Sequence, residues 1–171
     1  NPIIISKSLN IKKKFQFENK KYFFYLAAKE EHKNIDTIID VFRNDKIRNQ
    51  YNLVVAGYKH DIKKISKNIF FMGKISEKLK SKLFKESLSY IHPSTYEGFG
   101  MPLVEALMFK KKIITTKGGA IPEITSNMCI YVKNPKKKGN WIELINKFNS
   151  IKFPKINLKK INKKFNYDIT L

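Results

Sequence analysis

Cysteine occurs once in the 171 residues, at Cys129. A single thiol excludes an internal disulfide framework and a cysteine-rich zinc site. Cys129 opens an apolar stretch and reads as core. Histidine is confined to His32, His60 and His92, scattered without metal-ligand spacing. Ser94 lacks the G-x-S-x-G context of a nucleophile. No apolar run approaches the ~18 residues of a membrane helix; the longest runs from Tyr22 to Ala28. Arginine is limited to Arg43 and Arg48, although Lys and Arg together number 35 against 14 Asp and Glu, a net charge of +21. Such a charge invites a nucleic-acid or anionic-membrane reading. Nucleic-acid readers, however, favour arginine for bidentate base contacts. Near-exclusive lysine beside abundant Ile and Asn suggests AT-rich coding, and most of this charge is expected to be a solvated face. The remainder is left for an anionic membrane surface or an anionic substrate.

What is present is a globular composition: 42% apolar, 13% aromatic and 29% charged. The length suits one domain over 1–171, with 1–21 as a leading segment. A chain of this size buries roughly 70% of the surface that its unfolded form exposes. It begins at Asn1 rather than Met, as expected of a fragment, so the absence of a signal peptide carries no information about the parent protein.

Hydrophobic patterning alternates between strand and helix. Short apolar runs at Tyr22 to Ala27, Tyr51 to Ala56, Ile69 to Met72, Leu88 to His92, Lys112 to Thr116 and Cys129 to Val132 read as six strands. Ile3 to Ile5 hints at a further short strand. Ile35, Ile38, Ile39 and Phe42 mark one helix face. Helices are also expected at about 61–66, after Ser76 as cap with Leu79, Leu83 and Phe84, over 101–109 with Pro102 near the first position, and over 138–148. Trp141 and the other aromatics fall at core spacing. The alternation predicts an α/β fold, a Rossmann-like parallel sheet of about six strands with helices on both faces. Ligands of such sheets sit beyond the carboxyl ends of the strands.

One segment there carries chemistry: His92-Pro93-Ser94-Thr95-Tyr96-Glu97-Gly98-Phe99-Gly100-Met101-Pro102-Leu103-Val104-Glu105-Ala106. It leaves a strand, crosses a glycine loop and opens a helix. Gly98 and Gly100 let a ligand approach the backbone closely. The helix start near Met101 aims N–H donors and a positive dipole end at the loop, a place for phosphate. Glu97 and Glu105 bracket that place, and carboxylates serve hydroxyls rather than phosphate. Hydroxyls on both sides of a diphosphate describe a nucleotide sugar. A plain glycine turn before a helix, with Glu105 placed for the helix dipole, accounts for the same spacing. His92 ends the strand and is expected to be structural rather than a donor contact.

The stretch PSTYEGFGMPLVEA closely resembles the signature of retaining glycosyltransferases of the two-lobed GT-B type, the large family 4 or group 1 class, marked by two glutamates with seven residues between them. Further likenesses are Ala27 to Ile35 with its Lys33-Asn34, Leu53 to Gly57, Ile69 to Ser76, Gly118-Gly119-Ala120-Ile121-Pro122-Glu123, and Phe165-Asn166-Tyr167. The resemblance covers residue 22 to the end and implies the C-terminal, donor-binding lobe, with the N-terminal acceptor lobe absent.

It implies roles as follows. Glu97 contacts the donor sugar and Lys33 neutralises the leaving diphosphate; these two are the catalytic candidates. Backbone N–H groups of Phe99, Gly100, Met101 and Leu103, beside Gly98, hold hydroxyls and phosphates. Glu105 takes the ribose, and Lys74 and Ile75 lie beside the base. No metal and no cofactor is implied beyond the nucleoside-diphosphate sugar as donor. The acceptor is a glycan or lipid reached through the missing lobe. The setting is cytoplasmic, with contact to the membrane face left open. Glu97, in a loop, is expected to have no role in the fold.

Two departures stand out. Ala27 and Ala28 replace the usual Gly and frequent Arg, which weakens donor binding if that Arg shares the phosphate with Lys33. Met108 to Ile113 lacks the Gly and Pro of the family's A-x-G-x-P-V and reads as loop drift. Two rivals stay open: a basic module for nucleic acid or anionic surfaces, and a degenerate lobe that binds nucleotide without turnover.

Overall fold

The computed structural model describes residues 21–27, 30–57 and 66–165. Within Tyr22-Phe23-Phe24-Tyr25, side chains alternate across a strand, and each of the four is buried. A strand apolar on both sides must be covered on both faces. That strand, β1 (Lys21–Leu26), lies inside a six-stranded, wholly parallel sheet. The others are β2 (Tyr51–Ala56), β3 (Ile69–Phe71), β4 (Ser89–His92), β5 (Ile113–Thr115) and β6 (Ile130–Tyr131), in the spatial order β3-β2-β1-β4-β5-β6. The strand order reverses between β1 and β4, where Phe23 pairs with Ser89 and Phe24 with Tyr90.

Seven α-helices are described: α1 (Ile35–Phe42), α2 (Asp45–Arg48), α3 (Glu77–Glu86), α4 (Met101–Met108), α5 (Ile121–Thr125), α6 (Lys138–Asn146) and α7 (Leu158–Phe165). One core joins Phe24, Val54 and Tyr90 to Leu83 and Phe84 of α3, Leu103 and Leu107 of α4, Ile124 of α5 and Ile161 of α7. The opposite core joins Phe23, Leu53, Val55 and Ile91 to Ile38 and Phe42 of α1, Ile47 of α2 and Trp141 of α6. The rings of Phe42, Tyr51 and Phe148 meet Phe23 edge-on at 5.2 to 5.6 Å. Each fully buried large apolar side chain contributes ~1.5–3 kcal/mol. The α/β, Rossmann-like architecture with helices on both faces is therefore present. Among the described residues, no helix is long and apolar enough to cross a membrane.

Local signals act as their chemistry dictates. The Ser76 hydroxyl accepts from Leu79 N–H at 3.3 Å and caps α3. Gly57 ends β2 at φ +84°, and a Cβ there would sit 2.5 Å from Ala27 O. The end of α4 departs from the expected loop drift. Lys110 N–H donates to Leu107 O and Lys111 N–H to Ala106 O, a Schellman closure with Lys110 at φ 52°. Lys110 stands where the A-x-G-x-P-V pattern has its glycine, so a lysine holds a left-handed conformation that glycine takes without cost.

The expected elements recur with trimmed ends: the strand from Leu88 begins at Ser89, and the helix over 138–148 stops at Asn146 before a 3-10 turn, Phe148–Ser150. Helices α2, α5 and α7 were not anticipated. Two are a single turn long, too short to show a period; α2 is instead held by the Asn44 side chain accepting from Lys46 N–H. In α7, Leu158, Ile161 and Phe165 do repeat at helical spacing, within a lysine-rich run. The expected strand at 3–5, the helix near 61–66 except Ser66, which is not helical, Ala28, Asn166 and Tyr167 lie outside the described residues.

Candidate functional site

The two halves of the site come from segments far apart in sequence. After β1 the chain makes a 3-10 turn, Glu31–Lys33, and enters α1 through Asn34, which takes a left-handed φ of 52°. After β4 the chain runs through Pro93 to Gly100 and enters α4. Because β1 and β4 are neighbours, these segments meet at the reversal point of the sheet. They are sewn together: Thr95 N–H donates to His32 O at 2.8 Å, and Asn34 Nδ2 donates to Pro93 O at 3.4 Å and Pro135 O at 3.0 Å. The Tyr25 hydroxyl donates to Lys33 O at 2.8 Å and fixes the turn from below.

Lys33 Nζ lies 2.7 Å from Glu97 Oε1. His92 Nε2 lies 2.9 Å from the same oxygen. A carboxylate only accepts, so Nε2 carries the proton and Nδ1 accepts from the Tyr90 hydroxyl at 3.2 Å. Burial holds the His92 pKa below its ordinary value, against the pull of Glu97, and the ring is neutral near pH 7. Burial pushes the Glu97 carboxyl up, but hydrogen bonds from His92 and Lys33, with Ser94 nearby, outweigh it and bring the pKa to about 2. The buried Ser94 hydroxyl is near enough to favour that charge, yet it makes no well-formed hydrogen bond.

Glu97 is therefore not a free loop side chain. It is only 7% exposed and joins three elements, and its carbonyl accepts from Ala120 N–H at 2.8 Å. The expectation that it has no role in the fold is corrected: the desolvated Lys33 and His92 need it. Gly118 and Gly119 floor this loop. A Cβ on Gly118 would collide with Thr95 O, and one on Gly119 with Glu97 O. Gly98 has open space where a Cβ would be. Tyr96 and Phe99, at 61% and 59% exposure, are large apolar side chains left in solvent on the same loop.

Helix α4 is entered through its N-cap Gly100, φ 59°, with Pro102 in its first turn. Leu103 N–H already donates to Gly100 O at 2.8 Å, so among the expected backbone donors it has to share its proton with any ligand. Glu105, one turn further, is held through Oε1 by Lys80 Nζ of α3 at 2.6 Å. Lys80 also contacts Glu77 at 2.7 Å. Burial alone would lower the Lys80 pKa, but hydrogen bonds to Glu105 and Glu77 raise it overall. Lys74 is exposed beyond β3, and Ile75 packs half-buried against the first core.

Lys33 and Glu97 are thus brought into contact, while Glu105 stands apart on α4 with a partner of its own. His92 as a clamp on Glu97, and Lys80 as a partner of Glu105, were missed as site residues. A histidine ending a strand just before the glycine loop was the available signal for the first; Lys80 had none among so many lysines. Cys129 and Trp141 are buried, as expected of core. Among the described residues, no three His, Cys, Asp or Glu side chains are grouped to hold a metal ion.

The profile of the glycosyl transferases group 1 family matches residues 6–164. The chain belongs to that family. The O-antigen chain mannosyltransferase RfbU of Salmonella typhimurium is 27% identical over 148 residues, covering 80% of this chain and 40% of that protein. O-antigen chain mannosyltransferase B of Escherichia coli is 22% identical over 131 residues, covering 70% of this chain and 34% of that protein. The chain thus spans less than half the length of these relatives. Among solved structures, Anabaena HepE in complex with UDP-glucose matches with a TM-score of 0.68 at 15% identity, over 90% of this chain and 50% of that one. Sucrose-phosphate synthase of Thermosynechococcus elongatus matches with a TM-score of 0.68 at 14% identity, over 81% of this chain and 39% of that one. At such identities the structural matches establish a shared fold.

Proposed function

We propose that this group 1 chain is the donor-binding, C-terminal lobe of a retaining glycosyltransferase that acts in the cytoplasm. It takes a sugar from a nucleoside-diphosphate sugar and delivers it to a glycan or lipid acceptor held by a second lobe. The observation that carries this reading is the Lys33–Glu97 pair at the sheet's reversal point, where parallel sheets bind ligands. Glu97, ionised and clamped by His92, faces the donor sugar. Lys33 exchanges part of its contact with Glu97 for the diphosphate and stabilises the leaving charge, so no metal is needed. N–H groups at Phe99, Gly100 and Met101 and the exposed backbone of Gly98 receive phosphate and hydroxyl oxygens. Glu105 accepts from the ribose. Lys74 and Ile75, beyond β3, border the base.

In the transfer step the bond from the anomeric carbon to the diphosphate oxygen breaks, and its electron pair leaves on the diphosphate. The acceptor hydroxyl bonds to the same carbon from the same face and passes its proton to the departing phosphate oxygen. Holding both reactants in place supplies ~7–11 kcal/mol of such a barrier. In this reading the acceptor is gripped by the second lobe, so the chain alone binds donor without transferring it. That HepE was solved with UDP-glucose and that RfbU is a mannosyltransferase support the donor class.

A thermal-shift series with UDP, GDP and ADP, free and sugar-linked, tests the reading. One base should raise the melting temperature saturably; at ~100 times Kd a ligand adds ~2.7 kcal/mol, about 5–10 °C at this size. Binding that is indifferent to base, shared with unrelated polyanions and steeply salt-dependent would overturn it.

A further inference from the structure

Lys80 is a costly residue for its place. It sits on α3 between Leu79 and the core positions Leu83 and Phe84, and its side chain is 15% exposed. An apolar side chain would serve the helix packing there without desolvating an ammonium. Its two partners differ in kind. Glu77 is 85% exposed and belongs to the solvent face of α3, so that contact is an ordinary surface pair. Glu105 is 21% exposed and lies on the helix whose N-terminus opens onto the site. The ammonium is bound to Oε1 of Glu105. A carboxylate fixed through one oxygen by a shielded cation has its torsion set and presents the other oxygen in one direction, which is the preorganisation that recognition of a hydroxyl requires.

We propose that Lys80 is a positioning residue for the nucleotide's ribose, orienting Glu105 so that Oε2 accepts from a ribose hydroxyl. The inference rests on Glu105 being the ribose ligand. Lys80 itself touches no part of the donor. A lysine that only stapled α3 to α4 would affect stability alone. A positioning lysine also decides how strongly the chain prefers ribose to deoxyribose.

The experiment measures Kd by calorimetry for UDP, GDP and ADP and for the 2′-deoxy and 3′-deoxy counterpart of whichever binds best, using the whole chain. In wild type, loss of the relevant hydroxyl should weaken binding about tenfold or more, since an oriented, half-buried carboxylate oxygen is left without that partner. Lys80→Met should reduce that preference to under about threefold by weakening the ribonucleotide and sparing the deoxynucleotide; Lys80→Arg should restore it. Lys80→Gln serves if the methionine variant does not fold. Glu105→Gln separates the two ideas. If Glu105→Gln abolishes the preference while Lys80→Met and Lys80→Gln retain it, Lys80 is a structural staple and the inference is wrong. If Glu105→Gln retains the preference, or no nucleotide binds, the reading of Glu105 fails and the inference falls with it.

Discussion

Lys33 Nζ and Glu97 Oε1 stand 2.7 Å apart, 64 residues apart in sequence, across the single point where the strand order of the sheet reverses. Each of the two motif glutamates is held by a lysine from another element: Glu97 by Lys33, and Glu105 by Lys80. In both, the lysine takes Oε1. The site is thus charged yet internally neutralised, and a phosphate ligand competes for cations already in place.

Lys33→Ala should weaken binding of a nucleoside diphosphate more than binding of the nucleoside. The lost partner is phosphate, and a charge-assisted contact is worth ~1.5–3 kcal/mol, so the diphosphate should lose roughly tenfold to a hundredfold. Calorimetry with both ligands checks this. Equal losses would reduce Lys33 to a structural partner of Glu97.

Glu97→Gln should lower sugar transfer at least about tenfold in the two-lobed enzyme and should also lower stability. The second effect follows from burial: Lys33, with a side chain 16% exposed, loses its counter-charge, and a buried unpaired group costs ~1–3 kcal/mol. Denaturant unfolding of wild type and variant checks it. A variant as stable as wild type would mean that Lys33 swings to solvent.

Stability should fall as the solution is acidified, in two stages. The folded-state pKa of His92 is depressed by burial, so below the usual value of 6.5 the unfolded chain takes up a proton that the native state refuses. Glu97 is depressed from 4.5 to about 2, so its contribution is complete above 4.5 and is lost as pH falls to about 2. His92→Gln should flatten the first stage: the advantage of wild type over the variant is greatest near pH 7 and shrinks towards about pH 5. Urea midpoints across that range decide, and a difference constant with pH would refute the assignment of His92.

Lys110→Gly should stabilise the protein. Lys110 holds φ 52° in the Schellman closure of α4. Relieving a left-handed lysine gains ~1–2 kcal/mol, while the freer unfolded glycine returns ~0.4–1, so the net is about 0.5–1 kcal/mol. Differential scanning calorimetry should show the melting temperature rise by about 1–4 °C. A fall would mean that the lysine side chain makes a contact worth more than the strain.

Much of this protein was decided locally, and so was legible in its sequence. The strands from Tyr51 to Ala56 and Ser89 to His92, the face Ile35-Ile38-Ile39-Phe42, the Ser76 cap and the Gly100–Pro102 helix start all depend on neighbours within a turn or a pleat. The run from Pro93 to Ala106 placed the glycine loop and both glutamates at a strand end for the same reason. Single-turn helices such as Ile121–Thr125 escaped because one turn has no period to show. The pairing of Lys33 with Glu97, the ring of His92 held between Tyr90 and Glu97, and the choice of Lys80 out of a lysine-rich surface were decided only in three dimensions. They require β1 to lie beside β4 and α3 beside α4. No local pattern encodes that adjacency; it comes from burying both faces of one twisted sheet at once, and with it came the charges that the site uses.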